Sequence, residues 1–356
     1  MTRKLLTNTK LTVKLRNAKS TPFSTNIGSP QGDSLSPILF IIYLEFAMRE
    51  LRAKTPRPAK DAKLPQEIGY ADDQDKISRS KEFLEEDLRA TAPTLASWSL
   101  KVNEAKTERT TYERKVFESK EPWRKVRKLG TLLGDKEEMN RRKGLASAAY
   151  KQAAALWTRS SYVSEQRRLL IYNACVKPIL TYNMGTWALS KNDTDKLDAF
   201  HRTQLRNILN IRYPEHIHNK DLYARTKTRP ISHEMFEDRW KLMGHILRMN
   251  DEVPAKKAMA YYFDDHQALG GFRGRPRTTI ATKINQDLVD IAEASSHKRG
   301  RKQATIKELP KTLQSIHDLR QLERLSKNRK TWRSTIMDAH ALLLKSSESG
   351  DTRKQK

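Results

Sequence analysis

Between Gln66 and Ser78 the sequence sets two short runs, Gln66–Tyr70 and Gln74–Ser78, on either side of Ala71-Asp72-Asp73. A connection that short can join only antiparallel neighbours, because a parallel crossover needs a dozen or more residues. Two adjacent carboxylates are therefore expected on the tight turn of a hairpin. Upstream, Thr21–Pro37 is rich in Gly, Pro, Ser and Asn and reads as a loop. Ser36-Pro37 opens an apolar run through Leu51, with Ser36 at the N-cap and Pro37 at the first helical position. This predicts a largely buried helix over 36–53. Residues 54–65, with three prolines, form a linker or turn.

The flanking sequence fills in an α+β chain. Residues 1–16 alternate basic and apolar side chains and suit a short helix followed by a strand. Lys81–Leu100 spaces Phe83, Leu84, Leu88, Leu95 and Trp98 as one face of an amphipathic helix. Strand-like pieces follow at Thr110–Phe117 and Val126–Leu133. Glu137 to Met249 is helical in pattern, with breaks expected at Pro178, Asn192, Pro214 and Pro230. Beyond Asn250 the chain reads as irregular, apart from a helical stretch around 308–345 and a polar tail over 346–356. This divides the protein into an α+β part (1–134), a helical part (135–250) and an irregular basic part (251–356).

Charge says what the chain meets. Lys and Arg number 69 against 42 Asp and Glu, a formal net charge of +27. Such a surplus points to the phosphate backbone of nucleic acid, whose condensed counterions are released on binding. A membrane surface is the rival partner, but the longest apolar run, Ile38–Leu44, is far too short to span a bilayer. Met1 to Leu6 lacks the apolar core of a secretory signal, so an intracellular protein of nucleus or cytoplasm is expected. The single cysteine, Cys175, excludes an intramolecular disulfide and any multi-Cys zinc module. Its apolar neighbours suggest a buried side chain, and no disulfide-linked partner is expected.

Asp72-Asp73 alone is also an ordinary turn sequence, and a Gly-rich loop opening a helix can cradle any anion or none. Their order is more informative. A loop carrying glycines and a side-chain amide precedes an apolar helix, and a strand ending in paired carboxylates follows, as template-directed nucleotidyl transfer requires. That reaction uses two Mg²⁺ ions ~3.5–4 Å apart. Mg²⁺ takes hard oxygen ligands, which adjacent aspartates on a rigid hairpin supply.

Gly28-Ser29-Pro30-Gln31-Gly32-Asp33-Ser34-Leu35-Ser36-Pro37-Ile38-Leu39-Phe40 resembles the Gly-x-Pro-Gln-Gly-x-x-Leu-Ser-Pro-x-Leu-Phe block of reverse transcriptases. Tyr70-Ala71-Asp72-Asp73 resembles their catalytic loop, in the version of non-LTR (LINE-type) retrotransposons. Leu100–Glu108 is similar to the palm segment after that loop, and Lys128–Gly134 to the primer-grip hairpin. Val176–Trp187 and Arg239–Met249 resemble the helical thumb and post-thumb of the same elements, so the likeness covers roughly residues 10–280.

The resemblance implies a palm, a thumb and RNA-directed DNA polymerase activity on an RNA template, a DNA primer and dNTPs. Asp72 and Asp73 would then bind Mg²⁺. Gln31, Gly32 and Tyr70 would lie against the template–nucleotide pair, Lys106 near the leaving pyrophosphate, and Leu129 and Gly130 at the primer end. A solvated lysine and a plain β-turn are the structural alternatives for the last two assignments.

The family also carries an aspartate on an earlier strand, and no Asp or Glu precedes Asp33 here. The expectation is an N-terminally truncated element whose two-metal site is incomplete. The alternatives are an inactive nucleic-acid-binding remnant of a retroelement and, against the helical markers, a mobile-intron maturase. His216 and His218 could hold metal but lack a partner set, and His245 suits a packed or capping role. The basic tracts Arg273–Arg277 and His297–Lys302 suit a solvated tail or nucleic-acid contact. Trp157, Trp187 and Trp240 suit a core.

Overall fold

The computed structural model describes residues 9–25, 32–62, 64–111, 122–158, 162–265, 278–296 and 306–351. Helices predominate and each sheet has two strands, which gives an α+β make-up. The chain divides into two compact units, Met1–Thr107 and Glu108–Lys356.

In the first unit, β1 (Thr9–Leu11) pairs antiparallel with β4 (Phe23–Thr25), and β2 (Lys14–Leu15) with β3 (Ala18–Lys19). The described part of the segment expected to begin as a helix is therefore extended. Helix α1 (Ser36–Lys54) starts one residue before expectation: Leu35 holds the N-cap position, without a side-chain cap. Ser36 is the first helical residue, and its buried hydroxyl has no hydrogen-bond partner among the described residues.

Helix α2 (Lys81–Ser97) is capped by Ser80, whose hydroxyl accepts the Phe83 N–H. Leu44, Met48 and Leu51 of α1 pack against Ala90, Leu95 and Leu100. The other side of α1 corrects the expectation of a largely buried helix. Ile38, Ile41, Ile42, Tyr43 and Phe46 are exposed, because α2 and one narrow hairpin, β5 (Glu67–Tyr70) with β6 (Asp73–Lys76), cover a single face.

The second unit opens with the hairpin β7 (Arg127–Lys128) and β8 (Thr131–Leu132) and continues as α3 (Asp135–Gln152), α4 (Ala154–Thr158) and α5 (Glu165–Ile171). A π-turn over Tyr172–Val176 leads into α6 (Lys177–Thr181), so Pro178 falls in a first turn and does not end the helical path. The π-turn also corrects the reading of Cys175. Tyr172 and Val176 point inward, and residues 173–175, Cys175 among them, are exposed. Helix α7 (Lys191–Ile208) begins at the Ser190 cap, so Asn192 lies inside it. Helices α8 (Asn219–Thr226) and α9 (Ile231–Leu247) follow, the latter from Pro230 at its N-cap.

Where irregular chain was expected between Asn250 and about 308, the structure forms α10 (Pro254–Asp265) and α11 (Ile280–Ser296), and the helical stretch expected around 308–345 is present as α12 (Ile316–Ser326) and α13 (Arg329–Asp351). Ile284, Leu288 and Ile291 of α11, Leu322 of α12 and Trp332 and Ile336 of α13 close on Trp240 and Met243 of α9 as one core cluster. A second cluster gathers Met139, Trp157, Tyr172, Leu180, Trp187, Leu197 and Leu205. The three tryptophans are core, as expected. The basic tracts 273–277 and 297–302, and most of the strand expected at 110–117, lie outside the described residues. His216, His218 and His245 are exposed, and of the packed or capping roles expected for His245 its place in the last turn of α9 fits the second. Among the described residues no helix is long and apolar enough to cross a membrane.

Candidate active site

The paired carboxylates sit where the hairpin predicts, one residue apart in role. Tyr70 pairs with Asp73, Gly69 with Gln74, Ile68 with Asp75 and Glu67 with Lys76. Asp73 is thus the first residue of β6, and the turn itself is Ala71-Asp72. Ala71 takes a left-handed conformation (φ 52°), the positive first angle of the primed turns whose twist matches paired strands. A Cβ at Gly69 would lie 2.7 Å from Nε2 of Gln74, so a larger residue there would push aside the end of that side chain. Alternation puts Ile68, Tyr70, Asp73 and Asp75 on one face. Tyr70 is 67% exposed, and Asp72 and Asp73 are exposed.

The base of the hairpin is locked although its tip is free. Glu67 receives Arg52 of α1 at 2.8 Å (Nε) and 2.5 Å (Nη2), and Arg52 also bonds Glu45. Across the ladder, Lys76 bonds Asp87 of α2 and donates to Thr91 at 2.7 Å. Thr55 Oγ1, at the end of α1, donates to the other Asp87 oxygen at 2.8 Å. Two opposed charges on one cross-strand pair are therefore tied to two different helices. Asp61 anchors the exit by accepting from Ser78 Oγ and, at 3.0 Å, from the Arg79 N–H. Burial works to raise its carboxyl, but these hydrogen bonds with Arg57 and Lys60 hold it below the usual range.

A groove of about 190 Å³ runs between α1 and the hairpin. Ile41, Leu44, Glu45 and Met48 line it from α1, and Glu67, Gly69, Ala71 and Gln74 from the hairpin. Hydrogen bonds from Arg52 and then Arg49 push the Glu45 carboxyl down to about 2. Glu45 is ionised at neutral pH but engaged by arginine.

The other expected residues are distributed. Gly32 is exposed in a turn with φ 93°, and Gln31 lies outside the described residues. Lys106 ends an exposed 3₁₀ turn, Glu104–Lys106, in the same unit as the hairpin. Leu129 and Gly130 form the two-residue turn of β7–β8 in the second unit, both with positive φ (47° and 78°), as a type I′ turn demands.

This turn is held from behind by residues that sequence reading missed. Tyr182 Oη donates to the Leu129 carbonyl at 3.0 Å. Arg141 and Arg142 donate to the Gly130 carbonyl at 3.1 and 2.5 Å. Glu138, fully buried, accepts the Leu132 N–H at 2.9 Å and pairs with Arg142, whose guanidinium lies 4.3 Å from the Tyr182 ring centre. Burial raises the Glu138 carboxyl, and the Leu132 N–H and Arg142 more than offset it, leaving it below its ordinary value. The Glu138-to-Arg142 spacing along α3 was the available signal.

As a metal site the hairpin offers part of a donor set. Two exposed carboxylates suit one Mg²⁺, which is commonly bound through one or two carboxylates while it keeps water and substrate phosphates. A second ion would have to draw its remaining ligands from substrate phosphates and water, since no group of three or more His, Cys, Asp or Glu is placed to hold a metal among the described residues.

No curated protein and no solved structure gives a match to this chain. Residues 1–139, which contain both the Asp72–Asp73 hairpin and the Leu129–Gly130 turn, match the family model described as reverse transcriptase (RNA-dependent DNA polymerase).

Proposed function

We propose that this chain is the reverse transcriptase of a non-LTR, LINE-type retrotransposon. It adds dNTPs to a DNA primer on an RNA template, acting in the nucleus or cytoplasm. In this reading residues 1–134 serve as palm and 135–250 as thumb and post-thumb. The observation that supports it best is the hairpin: its tip carries two exposed carboxylates while its base is locked to both helices, within a segment that matches the reverse transcriptase family. Asp72 and Asp73 would hold Mg²⁺, which would supply Lewis-acid activation of the primer hydroxyl and neutralise triphosphate charge. Tyr70, beside Asp73 on the exposed face, and Gly32 with Gln31 bear on the template–nucleotide pair. Lys106 sets a cation beside the departing pyrophosphate. Leu129 and Gly130 present their turn to the primer end.

Primer extension on an RNA template with Mg²⁺ tests this directly. The wild-type chain extends the primer, and Asp72→Ala and Asp73→Ala do not. Equal extension by all three, or none by any while all bind RNA, contradicts the enzymatic reading and leaves nucleic-acid binding alone.

A further inference from the structure

The exposed elbow between α12 and α13 carries an unusual charge arrangement. Arg320, Arg324 and Lys327 follow one another at intervals of four and three along α12 and just past its end. Arg329, Lys330 and Arg333 fall in the first five residues of α13. All six are exposed, and none makes an ion pair among the described residues. The acid that interrupts them, Glu323, is engaged by Lys256 at 2.9 Å. Arg248 comes up from behind: it donates to the Ser326 carbonyl at 3.1 Å, and the burial of its guanidinium, with Arg329 nearby, holds its pKa below the usual value. Like charges are thus crowded at one bend with no compensating carboxylate.

The crowding also runs against the helix itself. A helix N-terminus carries partial positive charge and favours acids, so cations there are unfavourable. The first turn of α13 holds no acid and begins Arg329-Lys330. Asn328 caps it, accepting the N–H groups of Lys330 and Thr331 at 3.0 and 3.1 Å, which satisfies two of the free donors of the first turn. Most large apolar side chains are turned away: Leu319, Leu322, Trp332 and Ile336 are buried in the α9–α13 core, although Met337 is exposed. A membrane-surface helix would instead set such residues beside its cations for insertion.

We propose that the α12–α13 elbow is a binding surface for the phosphodiester backbone of nucleic acid, separate from the Asp72–Asp73 hairpin and independent of whether that hairpin is catalytic. The six cations read no sequence. They anchor a duplex or structured strand by charge, with Arg guanidinium groups suited to paired phosphate oxygens. Of the chain's 27 excess positive charges, 22 lie in residues 108–356, which hold 51 Lys and Arg against 29 Asp and Glu. Within that unit the elbow is the densest run of unpaired cations among the described residues.

The test replaces all six with Gln in the full chain and follows binding to a short DNA duplex and to an RNA hairpin of arbitrary sequence across a salt series. A control removes four exposed cations elsewhere in the same unit: Lys136, Lys151, Arg167 and Lys191. Each lost phosphate contact flattens the plot of log affinity against log salt by about 1. The elbow variant flattens by about 3 or more, and the control by about 1 or less. A smaller variant, Arg329→Gln with Lys330→Gln and Arg333→Gln, relieves the helix dipole, so it keeps or raises its thermal midpoint while weakening binding. Equal flattening in elbow and control variants overturns the proposal. So does unchanged nucleic-acid binding accompanied by lost binding to phosphatidylserine vesicles.

Discussion

Asp72 and Asp73 differ in what holds them: Asp72 stands on the turn, whereas Asp73 is fixed in the ladder opposite Tyr70. Both are exposed, so Asn at either position should leave folding within about 0.5 kcal/mol while lowering extension about a hundredfold or more. Thermal melts and single-nucleotide incorporation separate the two effects. The locked base behaves in the opposite way. Lys76 and Asp87 form a buried pair with side chains 12% and 6% exposed, and Lys76→Met leaves Asp87 without its charge partner. Urea unfolding should then show a loss of about 3–5 kcal/mol in the first unit. The two carboxylates were legible in the sequence because turn and strand signals meet there. Arg52, Lys76 and Asp87 were not, because their partners lie on other elements and sequence spacing does not say which charges face each other.

The β7–β8 turn shows at the scale of an element how much a short hairpin depends on its support. Gly130 occupies the second left-handed position with φ 78°, so Gly130→Ala should cost about 1–2 kcal/mol, measured by denaturant unfolding. Sequence located this hairpin but not the Glu138–Arg142–Tyr182 set behind it. Helix α1 was legible in extent and not in burial, because exposure of Ile38 or Phe46 depends on what packs there and not on the helical pattern. Cys175 was misread for a related reason: a π-turn shifts which residues point inward, and composition carries no sign of it. Helices α10 and α11 were hidden by the Gly- and Arg-rich segments that follow each of them, although Ile280, Ile284, Leu288 and Ile291 already marked one face of α11, whereas the stretch that holds α12 and α13 read as helical.

Helix α7 carries the element-scale pH dependence. Burial, with Lys177 and Arg202 nearby, pushes His201 down to about 3, and its Nδ1 lies 2.8 Å from Tyr172 Oη. An unfolded histidine titrates near 6.5, so below that pH the unfolded chain takes up a proton that the folded one refuses. Stability of the second unit should therefore be full above about 6.5 and fall as pH drops toward 3. The slope from this residue is at most about 1.4 kcal/mol per pH unit. His201→Gln should flatten that acid limb in pH-dependent unfolding. An unchanged limb would assign it to other groups.

For the molecule as a whole, the two units divide the tasks unevenly. The first contains the carboxylate hairpin, and the second carries most of the excess charge. Residues 103–111 between them are exposed. Limited trypsin digestion should therefore cut at Lys106 or Arg109 and release a fragment that retains most of the salt-dependent nucleic-acid affinity. The division at 107–108 was not legible, because the strand pattern continues through Leu133 and the helices begin only after it. The most direct test of the central assignment replaces Mg²⁺ with Fe²⁺ and maps where metal-generated hydroxyl radicals cut the chain. A metal held by Asp72 and Asp73 should cut the backbone around residues 69–74 and along the facing stretch of α1 near 41–48, and Asp72→Asn should abolish both cuts. Cleavage confined to other segments, or unchanged in that variant, would contradict the hairpin as the metal site.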